Sequence, residues 1–117
     1  MTQTNVVVQG SKSFDNYNTF KRAMGVALSD MKEGDTLMLY AVGAHKTNQF
    51  VTEFSNISEV GMKGRGMQIK WRRVTTTWVE EHDDTIDYFI YLCQPNERPS
   101  ALAKSFDSKC DVGIFKY

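Results

Sequence analysis

The chain has 117 residues, 41% hydrophobic and 24% charged, and its acidic and basic side chains balance to a formal net charge of zero. That make-up suits one folded domain with an ordinary core. It speaks against a disordered chain, a membrane-spanning protein and a uniformly basic nucleic-acid binder. Met1 to Gln9 lacks a charged segment leading into a long apolar stretch and does not read as a signal peptide. Cys93 and Cys110 are the two cysteines, far apart in sequence, and read as buried thiols in a reducing compartment. A cytoplasmic protein with no membrane partner is expected.

Val6-Val7-Val8 is a continuous β-branched run ending at Gln9-Gly10-Ser11, the pattern of a strand buried on both faces. A helix follows. Asp15 or Asn16 can cap it, and Tyr17, Phe20, Met24, Ala27, Leu28 and Met31 recur at spacings of three and four. Lys32-Glu33-Gly34-Asp35 stops that helix, with Gly34 as its terminating residue. Thr36 to Val42 reads as a second strand, closed by Gly43. From about Lys46 a second helix directs Phe50, Val51, Phe54 and Ile57 to the core, and Gly61 to Gly66 reads as a loop. Met67 to Val74 alternates Met67, Ile69 and Trp71 with Gln68, Lys70 and Arg72, as an edge strand does. Thr75 to Asp84 reads as a loop or a short irregular helix around Trp78. Tyr88 to Cys93 is a second continuous apolar run, hence a central strand. Pro99 suits the first turn of a helix running to about Lys109, with Leu102 and Phe106 inward, and Val112 to Phe115 is the last strand.

Strands alternating with helices imply right-handed crossovers. The expected fold is α/β: a single Rossmann-like domain over residues 1–117, with a mostly parallel five-stranded sheet flanked by helices. Such sheets bind ligands beyond the carboxyl ends of their strands, where the winding reverses. That rule selects three turns. The first offers Gly10, Ser11 and Lys12 ahead of a helix N-terminus, a combination suited to a phosphate or carboxylate. The second offers Gly43, Ala44, His45 and Asn48, and the third Arg98 and Ser100. Neither the G-x-G-x-x-G dinucleotide fingerprint nor the P-loop pattern is present, and no cofactor is nominated.

The opening VVVQGSKSF and the helix after it resemble the start of small SLOG-type Rossmann-like domains, the superfamily that includes DprA and the LOG nucleotide phosphoribohydrolases. GDTLMLYAVGAHKTNQFVTEF looks like that superfamily's second unit, a strand, a glycine-rich turn and a helix. IDYFIYLCQPNERPSALAKSFDSKCDVGIFKY looks like its last. The resemblance implies the fold, a pocket for a nucleotide-derived ligand, a symmetric homo-oligomer and a bacterial or phage setting. The departures are specific. The second turn keeps only Val42-Gly43 of a double glycine, Asn48 stands near the usual aspartate, and Lys12 stands where arginine is common. The PGGxGT signature of the LOG enzymes is absent, which argues against carrying over their activity.

Two other readings compete with a nucleotide-binding or sensing domain. Lys63, Arg65, Lys70, Arg72 and Arg73 fall in one segment with Trp71 among them, which suits a nucleic-acid-binding or protein-interaction module with a vestigial pocket. Without that role the charges guard an edge strand and Trp71 is core. The third reading is a hydrolase of a nucleotide N-glycosidic bond. Glu80-Glu81-His82-Asp83-Asp84 lacks a second histidine at metal-site spacing and reads as a solvated acidic loop; no metal site is expected. Cys93 reads as an inert buried thiol.

Overall fold

The structure, a computed structural model, describes residues 3–11, 14–29, 32–43, 45–98 and 100–116. In chain order the elements are β1 (Gln3–Gly10), α1 (Tyr17–Leu28), β2 (Thr36–Gly43), α2 (His45–Gly64), β3 (Gln68–Arg73), α3 (Thr76–Glu81), a 3-10 turn (Asp83–Thr85), β4 (Tyr88–Cys93), α4 (Ala101–Phe106) and β5 (Asp111–Lys116). The strands form one five-stranded sheet in the order β3-β2-β1-β4-β5, and every neighbouring pair is parallel. The chain winds outward from β1 through β2 to β3, then crosses back to β4 and outward again to β5. The winding therefore reverses between β1 and β4.

Two cores follow from that reversal. On one face α1 and α2 lay Phe20, Ala23, Met24, Phe50, Val51 and Phe54 on Val6, Val8, Leu37, Leu39, Ile90 and Leu92. On the other, α3 and α4 lay Val79, Leu102, Ala103 and Phe106 on Val7, Val42, Phe89, Tyr91 and Cys93. Successive side chains of a strand point to opposite faces, so an inner strand covered by helices on both sides must be apolar throughout. Val6-Val7-Val8 and the Phe89 to Cys93 run meet that demand.

Local chemistry sets the helix ends. Asn16 caps α1 by accepting the Thr19 N–H, Thr75 caps α3 by accepting the Trp78 N–H, and Ser100 caps α4 by accepting the Ala103 N–H. α1 ends at Leu28, before the expected Met31, which lies outside the described residues. Gly34 does not terminate it. With φ 91° it makes a left-handed turn into β2, its N–H donating to the Gly66 carbonyl at 2.7 Å.

Two expectations for the second helix are overturned. Gly61 to Gly64 is helix, not loop, because Met62 and Met67 both find buried positions that reward another turn. Ile57 lies on the outer side of α2, 72% exposed, rather than in the core. The Thr75 to Asp84 stretch is ordered as α3 and part of the 3-10 turn, with Val79 fully buried. α4 stops at Phe106, short of Lys109. Among the described residues no helix is long and apolar enough to cross a membrane.

Candidate functional site

At the carboxyl rim of the sheet, Gly10 lies between Gly43 of β2 and Leu92 of β4. The chain then leaves the sheet: the Ser11 N–H donates to the Leu92 carbonyl at 2.9 Å, and the Phe14 N–H donates to the Ser11 carbonyl at 3.2 Å. Phe14, fully buried, anchors this turn edge-on against Phe50 of α2. Gly10 has no room for a side chain. A Cβ there would sit 1.9 Å from Thr47 Oγ1. The first turn of α2 therefore lies directly on the end of β1.

That first turn holds two buried oxygens without a hydrogen-bond partner, Thr47 Oγ1 and Asn48 Oδ1. Thr47 is fully buried. Buried polar atoms are nearly always paired in folded proteins, and an orphan costs about 1–3 kcal/mol. No acidic residue stands in this turn to oppose the positive end of a 20-residue helix dipole. Lys46 is exposed and reaches Asp15 at 3.7 Å, a solvent-screened contact of little energetic weight.

Across the reversal, the loop after β4 brings a carboxylate to the turn after β1. Glu97 Oε1 accepts the Ser11 hydroxyl at 2.8 Å and the Gln94 N–H at 2.7 Å. A second link joins the same two segments, with the Ser100 hydroxyl donating to Gln9 Oε1 at 2.6 Å. Burial pushes the Cys93 thiol above its ordinary range, with Lys116 pulling it down and Glu97 pushing it up. Burial likewise raises the Tyr91 phenol, with Cys93 and Glu97 adding to it. The Cys93 side chain is fully buried and faces the α3–α4 core.

The expected ligand residues fall as follows. Gly10, Ser11, Gly43, His45, Asn48, Arg98 and Ser100 all lie in strand ends, turns or first helical turns at this one rim, with Arg98 exposed. Lys12 and Ala44 lie outside the described residues. Ser100 is already engaged, as helix cap and as donor to Gln9. Sequence reasoning placed Gln9, Thr47 and Glu97 in the three turns but did not select them as ligand residues. The two loops joined by Glu97 are 86 positions apart at their contact, and a carboxylate beside an expected anion site reads as a mismatch. Thr47 was findable as a small polar residue in the first turn of a helix.

The basic segment is split. Ile69 and Trp71 pack against the α1–α2 core, while Gln68, Lys70 and Arg72 point to the other face and are exposed. Arg73 is exposed with the opposite parity, and Lys63 and Arg65 lie at the amino rim. The His82 ring stacks on Trp78, with centroids 4.1 Å apart. Among the described residues no three His, Cys, Asp or Glu side chains gather as a metal would require.

A cleft of about 460 Å³ lies at the opposite, amino rim, lined in part by Thr4, Ser29, Asp87, Tyr88 and Asp111. Its Asp87 is structural. The carboxylate accepts the Asn5 N–H at 2.8 Å and the Asp87 N–H donates to the Asn5 carbonyl at 2.8 Å, latching β1 to the start of β4.

The chain matches no protein-family model, no curated protein and no solved structure. The rim itself is the ground for a functional reading.

Proposed function

We propose that the crevice between the carboxyl ends of β1 and β4 binds a small nucleotide-derived ligand, as the SLOG resemblance implies. One observation carries the proposal: where the winding of the sheet reverses, the first turn of a long helix rests on Gly10 with two buried oxygens unpartnered. Reversal points are where open α/β sheets hold ligands, and helix N-termini favour phosphate.

Glu97 refines the assignment. A phosphate between Ser11 and Gln94 would meet a carboxylate that already takes their hydrogen atoms. The phosphate therefore belongs at the N-terminus of α2, with Lys12 contributing charge. Glu97, an acceptor when ionised, suits the hydroxyls of a ribose. The same carboxylate favours a hydrolytic variant of this reading, in which it assists cleavage of an N-glycosidic bond.

Isothermal titration with nucleoside mono- and diphosphates, cyclic nucleotides and ADP-ribose derivatives tests the proposal. Saturable binding is expected, weakened at least tenfold by Lys12→Ala. Glu97→Gln should weaken ligands with free ribose hydroxyls more than their dideoxy counterparts. No binding across the panel, or binding indifferent to Lys12→Ala, would overturn it. Chromatography after incubation decides the hydrolytic variant: free base and sugar phosphate, abolished by Glu97→Gln, would establish it, and intact nucleotide would remove it.

A further inference from the structure

The sheet is covered unequally. On the α3–α4 face, β1, β4 and β5 lie under Val79, Leu102, Ala103 and Phe106. On the same face of β2 and β3, Met38 and Tyr40 are half-exposed and Gln68, Lys70 and Arg72 are exposed. Tyr40 and Arg72 are direct neighbours across the two strands.

Trp78 from α3 stands at this open side. Its ring lies 4.6 Å from that of Tyr40 and 4.1 Å from that of His82, the latter nearly parallel at 15°. The Arg72 guanidinium lies 5.4 Å from the same indole. His82 is held in place by a 2.7 Å contact between its Nδ1 and the Trp78 carbonyl. Three rings thus form a partly exposed ladder beside two exposed cations. At the β3 edge a separate groove of about 280 Å³ lies between α2 and β3, lined by Glu59 and Lys63 of α2 and by Met67, Gln68, Ile69 and Lys70.

We infer that this open β2–β3 face is a platform for a single strand of nucleic acid, separate from the rim crevice. Phosphates pair with Lys70 and Arg72, and a base extends the ring ladder. Base–aromatic stacking contributes whatever the base, and the backbone charge supplies the attraction. A duplex fits poorly, since its bases are already stacked and the platform has no helix to place in a groove. An acidic peptide would use the same cations but has no need of three stacked rings. The acids nearest in sequence to the ladder are Glu80, Glu81, Asp83 and Asp84, and Asp83 is already paired with Lys109. Zero net charge is compatible with such a local patch.

Fluorescence anisotropy of the whole chain with a labelled oligothymidylate of about 12 nucleotides tests this inference. Binding is expected at low salt and should weaken steadily as salt rises. Lys70→Glu/Arg72→Glu, both surface changes, should lower affinity at least tenfold. It should also flatten the log–log salt slope by about 1.4, since each lost phosphate contact on a single strand removes about 0.7. In a Trp71→Phe background Trp78 is the one remaining tryptophan, and its emission should be quenched on titration.

Three outcomes would overturn it: no anisotropy change at low salt, binding that survives the double charge reversal, or oligonucleotide binding lost to Lys12→Ala. The last would return the strand to the crevice. Preference for polyglutamate over the oligonucleotide, without tryptophan quenching, would assign the patch to an acidic protein and likewise refute the platform.

Discussion

At the end of β1 a glycine and a buried hydroxyl are set against each other, and each explains the other. Gly10 is required because Thr47 Oγ1 fills the space a side chain would take. The Thr47 oxygen itself is buried with no hydrogen-bond partner. Replacing an unpartnered buried hydroxyl with a methyl of the same shape removes a desolvation cost without opening a cavity. Thr47→Val should therefore raise unfolding stability by about 1 kcal/mol, read as a higher urea midpoint at unchanged slope. The same change should weaken nucleotide binding, because the ligand loses a donor. A loss of stability would mean that the hydroxyl is already satisfied and the crevice is built differently. Glycine at position 10, and the nearby Ser11, were legible from sequence, because small and polar residues at a strand end carry a known meaning. Glu97 was not. Its importance comes from a contact across the reversal, and nothing local in Asn96-Glu97-Arg98 distinguishes it from a surface acid.

Most helices and strands could be read from the chain because both apolar periods are strong, three-to-four in α1 and continuous in β1 and β4. The clearest misreading, Gly61 to Gly66 as a loop, shows where that method stops. Glycine lowers helix propensity by about 1 kcal/mol relative to alanine, yet burial of the Met62 side chain offsets more than that. Tertiary packing extended α2 through two glycines that local preference would have excluded. Beyond the adjoining residues and the local helix backbone, neither Gly25 in α1 nor Gly61 in α2 has an atom within 4 Å of where a Cβ would stand, and neither adopts a positive φ. An alanine at either position would touch nothing and would reduce the freedom of the unfolded chain. Gly25→Ala and Gly61→Ala are each expected to stabilise the protein by about 0.5–1 kcal/mol. Being on separate helices, they should add in the double variant. Equilibrium urea unfolding of the three variants checks both statements. A destabilising Gly61→Ala would reveal that this helix face is covered in solution, as close packing against a neighbour would demand.

Burial in a doubly covered sheet also shapes the response of the whole molecule to pH. Burial raises the Cys93 and Tyr91 acidities' midpoints in the α3–α4 core, where Cys110, raised for the same reason, packs at the margin. Tyr17 and Tyr88, raised by burial as well, border the other core. All five groups keep their protons to higher pH in the folded state than in the unfolded chain. With rising pH the unfolded chain loses these protons first, from about pH 8.5 for a thiol and about pH 10 for a phenol. The unfolded state then binds fewer protons than the folded one, so the slope of stability against pH is negative. The contribution is fully present below the unfolded thiol value and declines above it. On the acid side Asp83 works in the opposite sense. Its hydrogen bond to Lys109 lowers its midpoint, so its contribution holds above the ordinary carboxylate range and fades as pH falls through the folded value. Urea midpoints measured from pH 5 to pH 10 should hold steady and then fall beyond about pH 8.5. Cys93→Ala/Cys110→Ala, whatever it does to the plateau, should move the onset of that fall toward the phenol range. A midpoint flat to pH 10, or an onset unmoved by removing both thiols, would show that these groups ionise as readily in the folded protein as in the unfolded chain, contrary to their burial in the two cores.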